Sequence, residues 1–401
     1  MTNKPSAQYS VPNNVWVTVI ALVLALAFIL TPLASKLTSQ AAPLKRPSQA
    51  GSDWEIEIVD NGGDVGKYTS IELDGSGNPH ISYFDDTNND LKYAYLDASG
   101  WHTETADSGY VYGHTSLALD GSEYPHISYY GSLYKGLKYA YKDAAGWHDE
   151  TVTAISAEYL IGKYSSLALD TDGYPHISYY QECNYRGYLK YAYQDATGWH
   201  IEIVENPEGS GRYPGLYTSL VLDGAGYPHI SYFHNSDMEL KYAYEDSSGW
   251  HIETADSAGW VGKYTSLELD DGEYPHISYF DSTNNNLKYA YKDASGWHAE
   301  TVDSGGDVGS YTSLELDRNK RPRISYRDFG NGDLKYAYKD ASGWHTETVD
   351  SEGYVGGYTS LALDENDSPH ISYYAGSNVG LKYAYRELHF TYLYLPLVVK
   401  N

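Results

Sequence analysis

Short hydrophobic runs alternate with polar turns along this chain, and the alternation repeats at a nearly fixed period. The stretch from Pro79 to Thr105 reads PHISYFDDTNNDLKYAYLDASGWHTET, and near-copies begin at Pro125 and Pro275. In the first full unit four runs carry the apolar and aromatic residues: YTSIELD (68–74), PHISYF (79–84), LKYAYL (91–96) and WHTETA (101–106). Each is too short for a helix and is rich in the Tyr, Ile and Thr that suit a pleated surface. DGSGNP joins the first two runs and DASG the last two, both sequences that accept tight turns. The runs HISYY and LKYAY lack clean polar alternation, which predicts sheets covered on both faces.

The Trp that opens the fourth run serves as a ruler. It falls at Trp54, Trp101, Trp147, Trp199, Trp250, Trp297 and Trp344, at intervals of 46 to 52 residues. Four short strands per unit at ~40–50 residues is the pattern of propeller blades rather than helical repeats. The longest and most variable gap separates each Trp run from the next YTSLxLD, so YTSLxLD is the inner strand and the Trp run the outer one. Inner strands then start at Tyr68, His114, Tyr164, Tyr217, Tyr264, Tyr311 and Tyr358. The last unit stops at LKYAYREL with no Trp run, while DWEIEIVD (53–60) stands before the first unit. Together they predict an all-β, seven-bladed β-propeller of four-stranded blades over residues 53–386. The N-terminal strand 53–60 completes the last blade and closes the ring.

Composition alters this picture at the ends of the chain. Val15 to Ala34 is free of charge over about 20 residues, near the length that spans a bilayer. Lys4 precedes it and small residues from Ser39 to Ala42 follow, so residues 1–35 are expected to be a signal peptide or a membrane anchor. A linker over 36–52 and a tail over 387–401 flank the propeller. The expected location is secreted or at the cell surface, as a monomer that touches a membrane only through residues 15–34. A formal net charge of -27 repels phosphate backbones and argues against nucleic acid as a partner. Cys183 is the single cysteine, which excludes an intrachain disulfide.

The recurring polar residues read as structural. Asp ends every inner run, from Asp74 to Asp364, and suits acceptance of backbone N–H groups in the following turn. Six blades carry a His in PHISY, with Arg323 in its place in blade 6, and six of the seven ruler Trp are followed by His; the two sets, as in His80 and His102, sit two strands apart, about 9–10 Å. That spacing does not converge on one zinc ion, so no metal or cofactor is expected. The LKY lysines, Lys92 to Lys382, and the Trp-strand glutamates, Glu57 to Glu347, share a hairpin and are expected to pair there.

The recurring phrase SLALD…PHISYY…LKYAY…GWHxETVD resembles tandem repeats of exported bacterial and archaeal proteins akin to sialidase-like and fucose-lectin-like propellers. The resemblance covers about residues 53–386 and implies architecture more than activity. The sialidase Asp-box is only faintly echoed by KDASGW. The resemblance would imply three arginines around a carboxylate and a Tyr–Glu pair, but Arg186, Arg212, Arg318, Arg321, Arg323 and Arg327 form no evident trio.

Variation concentrates in two loop sets. One lies between the second and third strands (FDDTNND, YGSLYKG, YQECNYRGY) and the other in the blade crossings (DSGYVYG, TAISAEYLIG, DSAGWVG). Chain direction puts both sets on one propeller face and the uniform turns on the other. A constant scaffold with one variable face suits binding. Aromatic residues in or beside these loops are the candidate ligand contacts: Trp260, Tyr110, Tyr112, Tyr134, Tyr159, Tyr185, Tyr188, Tyr213, Phe329 and Tyr354. Asp256, close to Trp260, is expected to accept hydroxyl groups. The reading is a non-catalytic binding module for carbohydrate or a surface protein. A structural or adhesive surface protein and a glycosidase- or lyase-like enzyme stand as alternatives, and no catalytic residue is named.

Overall fold

The computed structural model describes residues 53–131, 136–153, 160–206, 211–376 and 379–388. The expected leader and linker, the tail beyond residue 388, Tyr134 and Tyr159 lie outside the described residues. Among the described residues there are 28 strands and no helix. They form seven four-stranded antiparallel sheets. Blade 1 runs outward through Val65–Leu73, Pro79–Asp85, Asp90–Asp97 and Gly100–Asp107, and blades 2 to 6 repeat that order. In blade 7 the outer strand is Glu55–Asp60, paired with Leu381–Tyr385 so that Glu55 lies opposite Tyr385 and Glu57 opposite Tyr383. The N-terminal strand therefore closes the ring.

The core lies between blades, which explains the missing alternation. Leu91 and Tyr93 of blade 1 pack with Leu117, Ile127, Tyr129 and Ala140 of blade 2, and comparable clusters recur around the ring. Every outer-strand Trp reaches back to the preceding blade. Trp101 meets Tyr383 edge-on at 5.2 Å, Trp147 meets Tyr93 at 5.4 Å, and Trp54 meets Tyr336 at 5.4 Å. Such edge-to-face pairs add about 0.5–1.5 kcal/mol each beyond burial.

The expected Lys–Glu pairing within a hairpin is corrected by the structure, because the repeated charges clasp neighbouring blades. Glu104 of blade 1 accepts the Trp147 indole N–H of blade 2 at 2.8 Å and the Lys142 ammonium at 2.7 Å. Glu57, Glu150, Glu202, Glu253 and Glu300 accept the next blade's indole in the same way. Four of the LKY lysines, Lys138, Lys288, Lys335 and Lys382, bind the acid that ends the previous blade's outer strand, while Lys241 pairs with Glu239 of its own blade. Lys382 holds Asp350 at 2.8 Å, Lys288 holds Asp256 and Lys335 holds Asp303. The register sets Lys92 opposite Thr105 and Tyr93 opposite Glu104, so the lysine and the glutamate of one hairpin leave it on opposite faces.

One glycine position sets how closely blades approach. Gly66, Gly262 and Gly309 have φ of 98°, 110° and 103°, and a Cβ there would come within 2.6–2.8 Å of a leucine Cα on the preceding blade. Glycine is required both by its conformation and by the contact.

Candidate ligand-binding face

The antiparallel order puts the turns after the first and third strands of each blade on one face. That face is uniform. Asp74 accepts the N–H groups of Ser76 and Asn78 at 2.8 Å, and Asp120, Asp170, Asp223, Asp270, Asp317 and Asp364 repeat the pattern. The PHISY histidines are engaged there. His80 Nδ1 bonds the Tyr93 hydroxyl while its Nε2 lies 3.7 Å from Asp74; five further blades repeat the Tyr bond, and four of them the approach to Asp. Burial lowers the pKa of His80, opposed by Asp74, so its ring is neutral near pH 7. The histidines after Trp stack on a third-strand Tyr and bond the turn Asp, as His102 does with Tyr95 and Asp97.

The opposite face carries both variable loop sets, and they are bonded to each other. Ser282 N–H donates to the Trp260 carbonyl at 2.8 Å, Val111 N–H to Asn89 at 3.0 Å, and Val355 N–H to Gly332 at 2.8 Å. At its centre is a feature the sequence did not single out as a site. The first residues of the inner runs, Tyr68, His114, Tyr164, Tyr217, Tyr264, Tyr311 and Tyr358, form a closed aromatic ring with neighbouring centroids 4.3–4.6 Å apart. All seven have φ between 53° and 57°. That left-handed conformation costs a non-glycine residue about 1–2 kcal/mol. The inner strands bulge at this point, and the next residue offsets the cost: Thr115 Oγ1 donates to the Tyr68 carbonyl at 2.6 Å and Thr218 Oγ1 to that of Tyr164 at 2.6 Å. The ring and the hydroxyls beside it line a pocket of about 200 Å³ at the channel mouth. Burial holds the phenols protonated, with Tyr264 pushed up to about 12, and lowers His114 to about 3. The signal for this ring was an aromatic opening every inner run, hidden in a chain with 45 Tyr.

Around the mouth stand the aromatic candidates. Tyr185 is 79% exposed, Tyr354 66%, Tyr110 56% and Tyr112 53%, and Phe329 is exposed as well. Tyr188 and Tyr213 are half-buried. Tyr213, with Lys163, Tyr180, Glu182 and Asn235, lines a cleft of about 290 Å³ between blades 3 and 4. Trp260 is 39% exposed, and the Lys263 ammonium lies 4.4 Å from its ring centre. Asp256 does not join them, which corrects its expected role. It is 8% exposed, accepts the Tyr279 hydroxyl at 2.6 Å and pairs with Lys288. Burial alone would raise its pKa, but those bonds outweigh burial and hold the carboxyl below its ordinary value. Its lone pairs are directed into the joint between blades 4 and 5, away from solvent.

No family model matches this chain, and no curated protein is similar to it in sequence. Among solved structures, the polysaccharide lyase Uly1 superposes with a TM-score of 0.51 at 11% identity, over 88% of this chain and 94% of that one. The Aleuria aurantia lectin, solved with Fucalpha1-6GlcNAc, gives 0.49 at 11% identity over 73% and 97%. The NanB sialidase from Streptococcus pneumoniae gives 0.44 at 12% identity over 86% and 71%. At 11% identity the likeness to Uly1 bears on the β-propeller fold alone, and the seven blades are read from this chain's own strand order.

Proposed function

We propose that this chain is a non-catalytic carbohydrate-binding propeller that works outside the cytoplasm, as a monomer. Its variable face is the binding surface. One observation carries the reading: the loops that vary in length, the most exposed aromatic rings and a central aromatic mouth occupy the same face, while the opposite face exposes Tyr274. The opposite face repeats one turn chemistry in every blade. Flat aromatic faces suit sugar C–H groups, and the hydroxyls at the mouth suit sugar hydroxyls. Binding rather than hydrolysis is supported by the fate of the acids at the blade ends. Asp60, Asp107, Glu205, Asp256, Asp303 and Asp350 each accept the hydroxyl of a next-blade Tyr, which removes them as a facing carboxylate pair. The exported location rests on the uncharged stretch from Val15 to Ala34, and cell fractionation tests it.

The full chain applied to a glycan array is expected to bind carbohydrate. Trp260→Ala is expected to weaken that binding while changing stability by no more than about 1 kcal/mol, the scale of an exposed cation–π contact. A blank array, or turnover of chromogenic glycosides, contradicts the reading. A large stability loss with intact binding would make Trp260 a cap on its blade.

A further inference from the structure

In six blades the residue that follows the second-strand Tyr in ISY is aromatic: Phe84, Tyr130, Tyr180, Phe233, Phe280 and Tyr374. Several rest on the central ring, as Tyr180 does on Tyr164 at 6.3 Å and Tyr374 on Tyr358 at 6.2 Å. Blade 6 breaks the rule with Arg327. The change is coordinated with two others. Lys67, Lys163 and Lys263 stand opposite the aromatic in blades 1, 3 and 5, but Ser310 stands opposite Arg327, so the cation has crossed to the second strand. In blade 1, Lys67 is held by Asp64 at 2.8 Å and Asp86 at 2.6 Å. The blade 6 residue in the place of Asp86 is Phe329.

The outcome is a cation between two rings with no carboxylate. The Arg327 guanidinium carbon lies 5.1 Å from the Phe329 ring centre and 5.4 Å from that of Tyr354. Arg212, Arg318, Arg323 and Arg386 each hold a carboxylate, whereas Arg327 makes no ion pair among the described residues. Its Nε is buried without a hydrogen-bond partner among the described residues; Arg323 and Arg386 share that feature but reach an acid through another nitrogen. Arg327 also adjoins the channel mouth. Burial raises the phenols of Tyr264 and Tyr311, and the Arg327 charge opposes that rise. In a chain of net charge -27, a lone half-buried cation between exposed rings is a place where an anion is wanted.

We propose that Arg327, flanked by Phe329 and Tyr354, is the subsite that takes the carboxylate of a uronic-acid residue in a polysaccharide. This rests on the carbohydrate-binding reading of the same face. The planar guanidinium fork matches a carboxylate bidentately, and the two rings lie where adjacent sugars would stack. The net negative charge repels a dense polyanion, but that repulsion is screened beyond ~8 Å at physiological salt. The subsite therefore suits a mostly neutral chain with sparse carboxylates.

Isothermal titration with glucuronoxylan, and with the same polysaccharide after carboxyl reduction, tests it. Wild type is expected to bind the acidic form more tightly by about tenfold, the scale of a hydrogen-bonded charge contact. R327F installs the residue of blades 1, 4 and 5, so it is expected to fold and melt like wild type, lose that preference, and retain the binding to the reduced form. R327K, which keeps the charge without the fork, is expected to lose most of it. Equal affinity of wild type for both forms, or an R327F or R327K that retains the full preference, overturns the proposal. Wild type that binds neither form yet binds neutral glycans on the array sinks this inference alone. Wild type that binds no glycan at all sinks the reading beneath it too.

Discussion

The repeated residues of this chain are fixed by what they meet on the neighbouring blade. The repeated Trp and Glu latch neighbouring blades, indole to glutamate and ring edge to Tyr, and at four joints an LKY ammonium adds a bond to the terminal Asp. Inside a single unit these residues look like members of a hairpin, and that is how the Lys–Glu pairing was misread from sequence. Nothing local marks a partner about 40 residues away on another sheet. Asp256 was misjudged for the same reason. Departures from the repeat are informative at this scale. Glu72, Glu268 and Glu315 replace the Ala or Val that other blades place near the end of the inner strand. Burial raises all three carboxyls above their ordinary value of 4.5, and Glu72 adds to the rise at Glu268 and Glu315. Each keeps some contact with open space, which softens the rise. A carboxyl whose pKa is raised by folding binds its proton more tightly when folded. Stability therefore falls as pH climbs from the unfolded pKa through the folded one, and stays lower above it. Glu268→Gln is expected to raise the melting temperature at pH 9 and leave it nearly unchanged at pH 4.5. An equal shift at both pH values would mean that the carboxyl's charge is not what burdens the fold.

At the scale of elements, the sequence disclosed the strands, their phase and the closure, because each depends on a periodic signal. A Trp every 46 to 52 residues counts blades, and one missing plus one orphaned outer strand closes the ring. The orphan strand is anchored by its Trp in the joint with blade 6. Trp54 is 1% exposed, with the Arg386 guanidinium 4.7 Å from its ring centre, and Ile56 packs against the same cluster. Trp54→Ala is expected to cost about 3–5 kcal/mol, as for other buried Trp truncations. Deleting residues 1–60 is expected to lower the melting temperature further, since it also bares the edge of Leu381–Tyr385. A truncated chain that melts like the full one would contradict the closure. The central aromatic ring was not legible at this scale. Its backbone conformation, left-handed at seven non-glycine positions, depends on blades converging at the axis, and no local turn sequence announces it.

For the whole molecule, the division between a constant and a variable face is the central claim. It was legible in outline, since loop variation and chain direction are both sequence properties. The sequence could not reveal which aromatic rings stay exposed once the blades pack, or that the cation in blade 6 is left between two of them. The most direct test is hydrogen–deuterium exchange of the full chain with and without the tightest glycan from the array. Binding at the variable face predicts protection of the loops at 86–89, 108–113, 257–260, 329–332 and 351–356, with the turns at 74–78 and 97–100 unchanged. Protection confined to those turns would place the ligand on the constant face and contradict the account.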